Sequence, residues 1–283
     1  MVQRTVLTER QKRLGSEVRR IRTAAGMSAE HAAGLLGVDR SRLSNMESGT
    51  RAISAERLRT LACNCDCTDE TYVDALAEMA EPREVGWWER YRGSLPQGML
   101  DVSEMEAHAA RLRGWNVVHV PGMLQTSEQA MAIFRAAVPA LPEHEVALRL
   151  AHRAERQRVI DGDDPTPYVA LIHEAALHMQ FGGEAVARSQ LDHLLDVSER
   201  DNVTLLVLPF SHGSFPGAGQ TLVYLEGQVP QLDTVQVDSS HGPDFLHAEA
   251  QLAKYRAQLD LLEQSALSAE RSRDLIRTIA HNL

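Results

Sequence analysis

Residues 28–49, SAEHAAGLLGVDRSRLSNMESG, constrain this chain more than any other stretch. They read as two short helices joined by a tight turn. Ser28 is a good N-cap, and Glu30 puts negative charge into the first turn, where the helix dipole favours it. Ala32, Ala33, Leu35 and Leu36 supply an apolar side. Gly37 then takes the C′ position, where positive φ costs a glycine nothing. Val38 plugs the turn and Asp39 caps the second helix. Leu43 and Met46, three apart, define its buried face. Arg40, Ser41, Arg42, Ser44 and Asn45 are left on the remaining surface. These residue types hydrogen-bond phosphates and base edges. Gly49 ends the helix and Arg51 follows it.

The flanks fit the same plan. Residues 9–25 predict a first helix with Leu14, Val18, Ile21 and Ala25 on one face. Arg10, Lys12, Arg13, Arg19 and Arg20 decorate its outside. Residues 55–62 and 71–80 predict a fourth and a fifth helix.

The pattern Gly-Val-Asp-x-Ser-x-Leu-Ser-x-Met-Glu-x-Gly, together with Val18-Arg19-Arg20-Ile21-Arg22 and Gly26-Met27-Ser28, resembles the phage-repressor type of helix-turn-helix, the Xre-like family. That resemblance implies a DNA-binding head whose recognition helix, residues 40–48, enters the major groove. Arg40, Ser41 and Asn45 would meet base edges, because Arg suits guanine and Asn suits adenine. Arg42 and Arg51 would meet phosphates, with a plainly solvated charge as the alternative for Arg42. The resemblance further implies that Arg22 pairs with Glu47 in a structural role. The family usually carries Gln after the Ser, touching a phosphate. Here that position is Ala29, which predicts a modest affinity for each half-site. One head with one helix buries too little to be specific alone, which predicts a homodimer on palindromic double-stranded DNA.

Charge agrees with a DNA-binding head on an acidic body. Residues 1–66 carry 12 Lys/Arg against 7 Asp/Glu, whereas the remainder carries 17 against 32. At 283 residues the chain predicts two domains, 1–80 and 81–283. The first eleven residues lack the apolar stretch of a signal peptide, and no run is long enough to span a membrane. Three cysteines, Cys63, Cys65 and Cys67, are few and odd in number, which predicts a reducing cytoplasm. Their C-x-C-x-C spacing has no second pair, so no zinc site is expected. Small core positions at the end of the fourth helix are their expected role, and a redox or metal role stays open.

The second half predicts an α+β domain, so the chain as a whole reads as mainly α. Gly86-Trp87-Trp88-Glu89-Arg90-Tyr91 concentrates aromatic side chains and predicts an anchor between the domains. Residues 103–113 predict a helix or mixed segment. Thr126 predicts a cap for a helix over 127–137, and residues 143–160 predict an amphipathic helix. Residues 168–172, 203–208, 221–225 and 234–237 predict strands. Further helices are expected over 184–199, 247–262 and 268–281. Four of the eleven residues in 210–220 are Gly or Pro, marking a long loop.

Trp115-Asn116-Val117-Val118-His119-Val120-Pro121-Gly122-Met123, Arg153-Ala154-Glu155-Arg156-Gln157, His173-Glu174-Ala175-Ala176-Leu177 and the run from Asn202 to Phe210 resemble an actinobacterial regulator family. That family is described as WhiJ-like, or Scr1-type antitoxin-like. The resemblance implies a transcriptional regulator whose C-terminal domain binds a small partner protein encoded nearby. Two alternatives stay open: an antitoxin-like protein-interaction module whose DNA binding is only autoregulatory, and a one-component sensor controlled by a small-molecule ligand.

Nothing in the chain predicts catalysis or a cofactor. His173 and His178 stand five apart, whereas a helical zinc motif needs four so that both face one metal. The loop over 213–219 lacks the Lys-Ser/Thr of a phosphate loop, and no Gly-x-Ser-x-Gly is present.

Overall fold

A computed structural model describes residues 7–81, 85–217 and 219–283. Of the expected break at Glu81-Pro82 only Glu81 is described, and the first six residues of the segment without a signal-peptide stretch and Ala218 of the Gly-rich loop fall outside the described residues. The chain divides into two compact units. Unit 1 comprises residues 1–89 with 228–232, and unit 2 comprises 90–227 with 233–283.

Unit 1 is built from five helices: α1 (Glu9–Ala24), α2 (Ala29–Leu35), α3 (Arg40–Glu47), α4 (Ala55–Asn64) and α5 (Glu70–Ala80). A short polar side chain caps the start of each. Thr8 forms a full capping box with Gln11, while Ser28, Asp39, Ser54 and Asp69 accept from the backbone N–H three residues on. Val18, Leu43, Leu58, Leu61 and Leu76 are fully buried among these helices, with Leu14, Ile21, Ala32, Ala33, Leu36 and Met46 around them. Two expectations need correction. Ala25 is the exposed C-cap of α1 rather than part of its apolar stripe, and Leu35, at 38 % exposure, turns to solvent while Leu36 turns inward. Gly37 adopts φ +64° just after α2, as the turn requires.

The segment 228–232 completes this unit from far downstream in the chain. Val229 is buried in the helical core, with Leu232 packed against it. Arg13 Nη2 donates to the Gln231 carbonyl at 2.5 Å, and Gln231 Nε2 donates to Asp69 at 2.8 Å. Trp87 and Trp88 lie at the end of unit 1 in a 3-10 turn (Trp87–Tyr91), with rings edge to face at 5.8 Å. Tyr91, in the next unit, donates its hydroxyl proton to Glu155 at 2.9 Å.

Unit 2 is organised on a six-stranded mixed sheet in the order β3-β2-β1-β4-β5-β6. The strands are β1 (Arg111–Asn116), β2 (Tyr168–His173), β3 (Val203–Leu208), β4 (Leu222–Glu226), β5 (Thr234–Ser239) and β6 (Gly242–Leu246). β1, β2 and β3 run parallel, and β4, β5 and β6 alternate antiparallel. The helices are α6 (Gln97–Ala107), α7 (Ser127–Arg135), α8 (Glu143–Arg156), α9 (Glu174–Leu177), α10 (Glu184–Val197), α11 (Glu249–Ser265) and α12 (Ala269–Asn282). Helix makes up 56 % of the structure, so a mainly α chain with an α+β C-terminal part is the observed fold class.

Both faces of the sheet are covered. Leu112, Ala170, Ile172, Leu205 and Val207 pack with Leu191 and Leu194 of α10 and Ile276 and Ile279 of α12. The alternate residues Trp115, Val169, Leu171, Tyr224 and Val235 pack with Leu252, Leu259 and Leu262 of α11. Double burial explains why β2 reads YVALIH, an almost unbroken apolar run.

Residues 103–113 are not one helix or mixed segment. α6 ends at Ala107 and the central strand β1 begins at Arg111. Its sequence RLRGWN conceals a strand because Arg113 is neutralised only in three dimensions, by Asp260 and Glu263 of α11 at 2.7 Å each. β6 (GPDFL) likewise gave no strand signal, and its proline fits an edge position.

Candidate nucleic-acid interface

α3 carries the candidate interface. Its buried side is Leu43 and Met46, at 0 % and 2 % exposure; Glu47 at its end also turns inward, and the residues from Arg40 to Arg42 with Ser44 and Asn45 turn outward. Arg40, Ser41, Arg42, Ser44 and Asn45 are all exposed, and so is Arg51 just beyond the helix. Arg40, Arg42 and Arg51 make no ion pair among the described residues, so three guanidinium groups stand ready for an external acid. Asp39 Oδ1 accepts from the Arg42 N–H at 2.7 Å, which fixes where the helix starts.

The C-terminal end of the face is tied down by its own loop. The Thr50 hydroxyl donates to the Asn45 carbonyl at 3.1 Å and stands 3.4 Å from Asn45 Oδ1. The Arg51 N–H donates to the same Asn45 carbonyl at 3.0 Å. Asn45 and Arg51 therefore occupy one small surface, held by Thr50. Sequence reasoning passed over Thr50, because an exposed threonine in a loop carries no signal of its own.

Arg22 and Glu47 come together as the resemblance implied. Arg22 Nε and Nη2 donate to the two Glu47 carboxylate oxygens at 2.5 Å and 3.0 Å, and Nη1 donates to the Met27 carbonyl at 2.8 Å. Both side chains are about nine-tenths buried. The hydrogen bonds that Arg22 donates to Glu47 hold its guanidinium above its ordinary pKa. This pair joins α1 to α3 and also secures the turn that leads into α2. Ala29, the position at which the family usually carries Gln, is the first residue of α2 and half-buried, with no polar group to offer a phosphate.

A glycine contact that the sequence did not flag sets the depth at which α3 sits. A Cβ on Gly15 of α1 would lie 2.6 Å from the Gly49 nitrogen and 2.7 Å from the Met46 carbonyl oxygen. Behind it, Arg13 and Tyr72 both donate to buried Glu17, so α1 is further braced on its far side.

The three cysteines are free thiols around the end of α4. Cys65 is the buried C-cap, and burial, then the neighbouring Cys67, pushes its thiol up and away from reactivity. Cys67 is half-buried and Cys63 exposed. His173 Nδ1 accepts from the Ala175 N–H at 3.2 Å as the cap of α9, while His178 stacks on Phe210. Among the described residues no group of three or more His, Cys, Asp or Glu is arranged to hold a metal ion. No described helix is long and apolar enough to cross a membrane.

Comparison with known families matches both halves of the chain. Residues 13–76 match a helix-turn-helix domain, which implies a DNA partner. Residues 99–278 match a domain of unknown function, DUF5753. No curated protein and no solved structure matches the chain.

Proposed function

We propose that this chain, which belongs to the DUF5753 family, is a sequence-specific transcriptional regulator that binds DNA as a homodimer. The observation that carries the proposal is the outer face of α3, where Arg40, Ser41, Arg42, Ser44 and Asn45 are exposed with no ion pair among the described residues while Leu43 and Met46 hold the helix from behind. Arg40, Ser41 and Asn45 read base edges, and Arg42 and Arg51 grip phosphates. Two heads presented one helical turn apart, about 34 Å, recognise an inverted repeat.

Residues 1–80 supply recognition and residues 81–283 supply dimerisation and control. The resemblance to the WhiJ-like, Scr1-type antitoxin-like regulators supports control by a small partner protein or ligand bound to the second half. The role is binding rather than catalysis, carried out in the cytoplasm without a cofactor.

Sedimentation of the protein with a selected DNA fragment, followed by insertion of five base pairs between the half-sites, tests this reading. Two chains per fragment and loss of binding on insertion are expected, because half a helical turn puts the half-sites on opposite faces of the duplex. One chain per fragment, or indifference to the insertion, contradicts the dimer.

A further inference from the structure

Unit 2 holds a half-open cavity of about 290 Å³ that the DNA-binding reading does not use. It lies on the face of the sheet shared by Leu112 and Ile172, roofed by α6, α8 and the segment that follows β1. Met99, Val102 and Ile133 give it an apolar wall. Its polar side holds two arginines in different situations. Arg156 is spent internally, with Nε and Nη2 on the two oxygens of buried Glu106 at 2.5 Å and 2.6 Å. Arg153 has no carboxylate partner among the described residues.

Arg153 is nevertheless held rigidly. Its Nη1 donates to Gln125 Oε1 at 2.5 Å, and its guanidinium stands 5.1 Å from the Phe134 ring centre. Gly122 lies against it so closely that a Cβ there would sit 2.6 Å from Nη1. Nε and Nη2 make no hydrogen bond among the described residues, which leaves one edge of a planar fork open. Burial, then the charge of Arg156, pulls this guanidinium down to about 9, against the raising influence of Glu106 and of Asp238 at the rim. Asn116 adds an independent sign. It is 6 % exposed at the end of β1, lines the same cavity, and its side-chain amide makes no hydrogen bond among the described residues. Buried amides are normally satisfied, and this one faces the cavity.

We propose that this cavity binds a small organic monocarboxylate with an apolar body. The carboxylate sits bidentate on the open Nε/Nη2 edge of Arg153, Asn116 hydrogen-bonds its polar end, and the body lies against Met99, Val102 and Ile133. A phosphate dianion fits less well. Arg156 is already neutralised by Glu106, and Asp238 at the rim, held by Gln236 Nε2 at 2.5 Å, already acts on both arginines and repels a second negative charge on the ligand. The inference rests on the reading of unit 2 as the controlling half and names the class of ligand that it senses.

The test uses the full chain without DNA, by titration calorimetry and thermal shift. The probes are 4-methylpentanoate, the uncharged 4-methylpentan-1-ol and inorganic phosphate. The acid is expected to bind and raise the melting temperature, with the alcohol and phosphate at least tenfold weaker. Arg153→Met should abolish the preference for the acid, and Asn116→Ala should weaken acid binding several-fold. If Arg153→Met does not fold, the acid-to-alcohol ratio of the unaltered protein decides. Absence of acid binding, equal binding of acid and alcohol, tighter binding of phosphate, or a folded Arg153→Met that binds the acid normally each overturns the proposal. DNA is absent here and the ligand is absent from the DNA experiments, so either reading can fail alone.

Discussion

Gly15 of α1 lies against Gly49, two residues past the end of α3, with room between them for no side-chain atom: a Cβ on Gly15 would stand 2.6 Å from the Gly49 nitrogen. The depth of α3 is therefore set by a glycine on another helix. Alanine normally stabilises a helix interior by about 0.5–1 kcal/mol over glycine. Here the added methyl meets backbone on three sides, and overpacking of this kind costs about 1–3 kcal/mol. Gly15→Ala should therefore lower stability in urea titration and weaken DNA binding together. A stabilised variant would contradict the contact.

Arg22 and Glu47 are nearly buried, so removing one partner strands the other. Glu47→Ala should cost about 3–5 kcal/mol, far above the value of a surface ion pair. A double-mutant cycle with Arg22→Ala checks this, and additive losses would show that the two do not act as a pair.

The segment 228–232 makes the helical unit depend on distant chain. Val229→Asp buries a charge among α-helical core residues and should cost roughly 2–4 kcal/mol. Hydrogen exchange should place that loss in α1 and α5. A loss confined to β4 and β5 would assign Val229 to the wrong unit.

Acid should destabilise unit 2 through His152. Burial, then the charge of Arg156, pushes this imidazole down to about 4, and Ser103 Oγ stands 3.0 Å from its Nε2. The unfolded chain titrates near 6.5, so between those values the unfolded state binds more protons and stability rises with pH. The contribution, about 3 kcal/mol, is fully present above the unfolded value and lost as pH falls through 4. Burial lowers His119 and His193 as well, and they add in the same direction. Thermal unfolding of His152→Gln across pH 4–7 should show a flatter profile than the parent, and an unchanged slope would refute the assignment.

Much of unit 1 was legible because its signals are local. Caps at Ser28 and Asp39, the glycine at 37 and the Leu43/Met46 spacing act within a few residues, and α2 and α3 follow from them. Unit 2 was legible where burial on both faces left an apolar run, as in β2 and β3. It was hidden where polarity is cancelled at long range, as in β1, whose Arg113 finds Asp260 and Glu263 only after folding. The glycine contact at Gly15, the return of Val229 to the helical core and the cavity around Arg153 share that character. Each is a relation between distant residues, which no window of sequence displays.

The two kinds of DNA contact should separate cleanly. Asn45→Ala should relax specificity at one base position, at a cost of about 1–3 kcal/mol, whereas Arg51→Ala should weaken every sequence alike and flatten the salt slope by about one unit. Equal weakening on all sequences by Asn45→Ala, or a sequence-selective loss from Arg51→Ala, would exchange their roles.

The central claim is that the outer face of α3 reads DNA sequence. Selection of random genomic fragments by the full protein at near-physiological salt, beside an Arg40→Ala/Asn45→Ala double variant, tests it most directly. An inverted-repeat motif enriched by the parent and lost in a folded double variant is the predicted result. No motif, or the same motif in both, would contradict it.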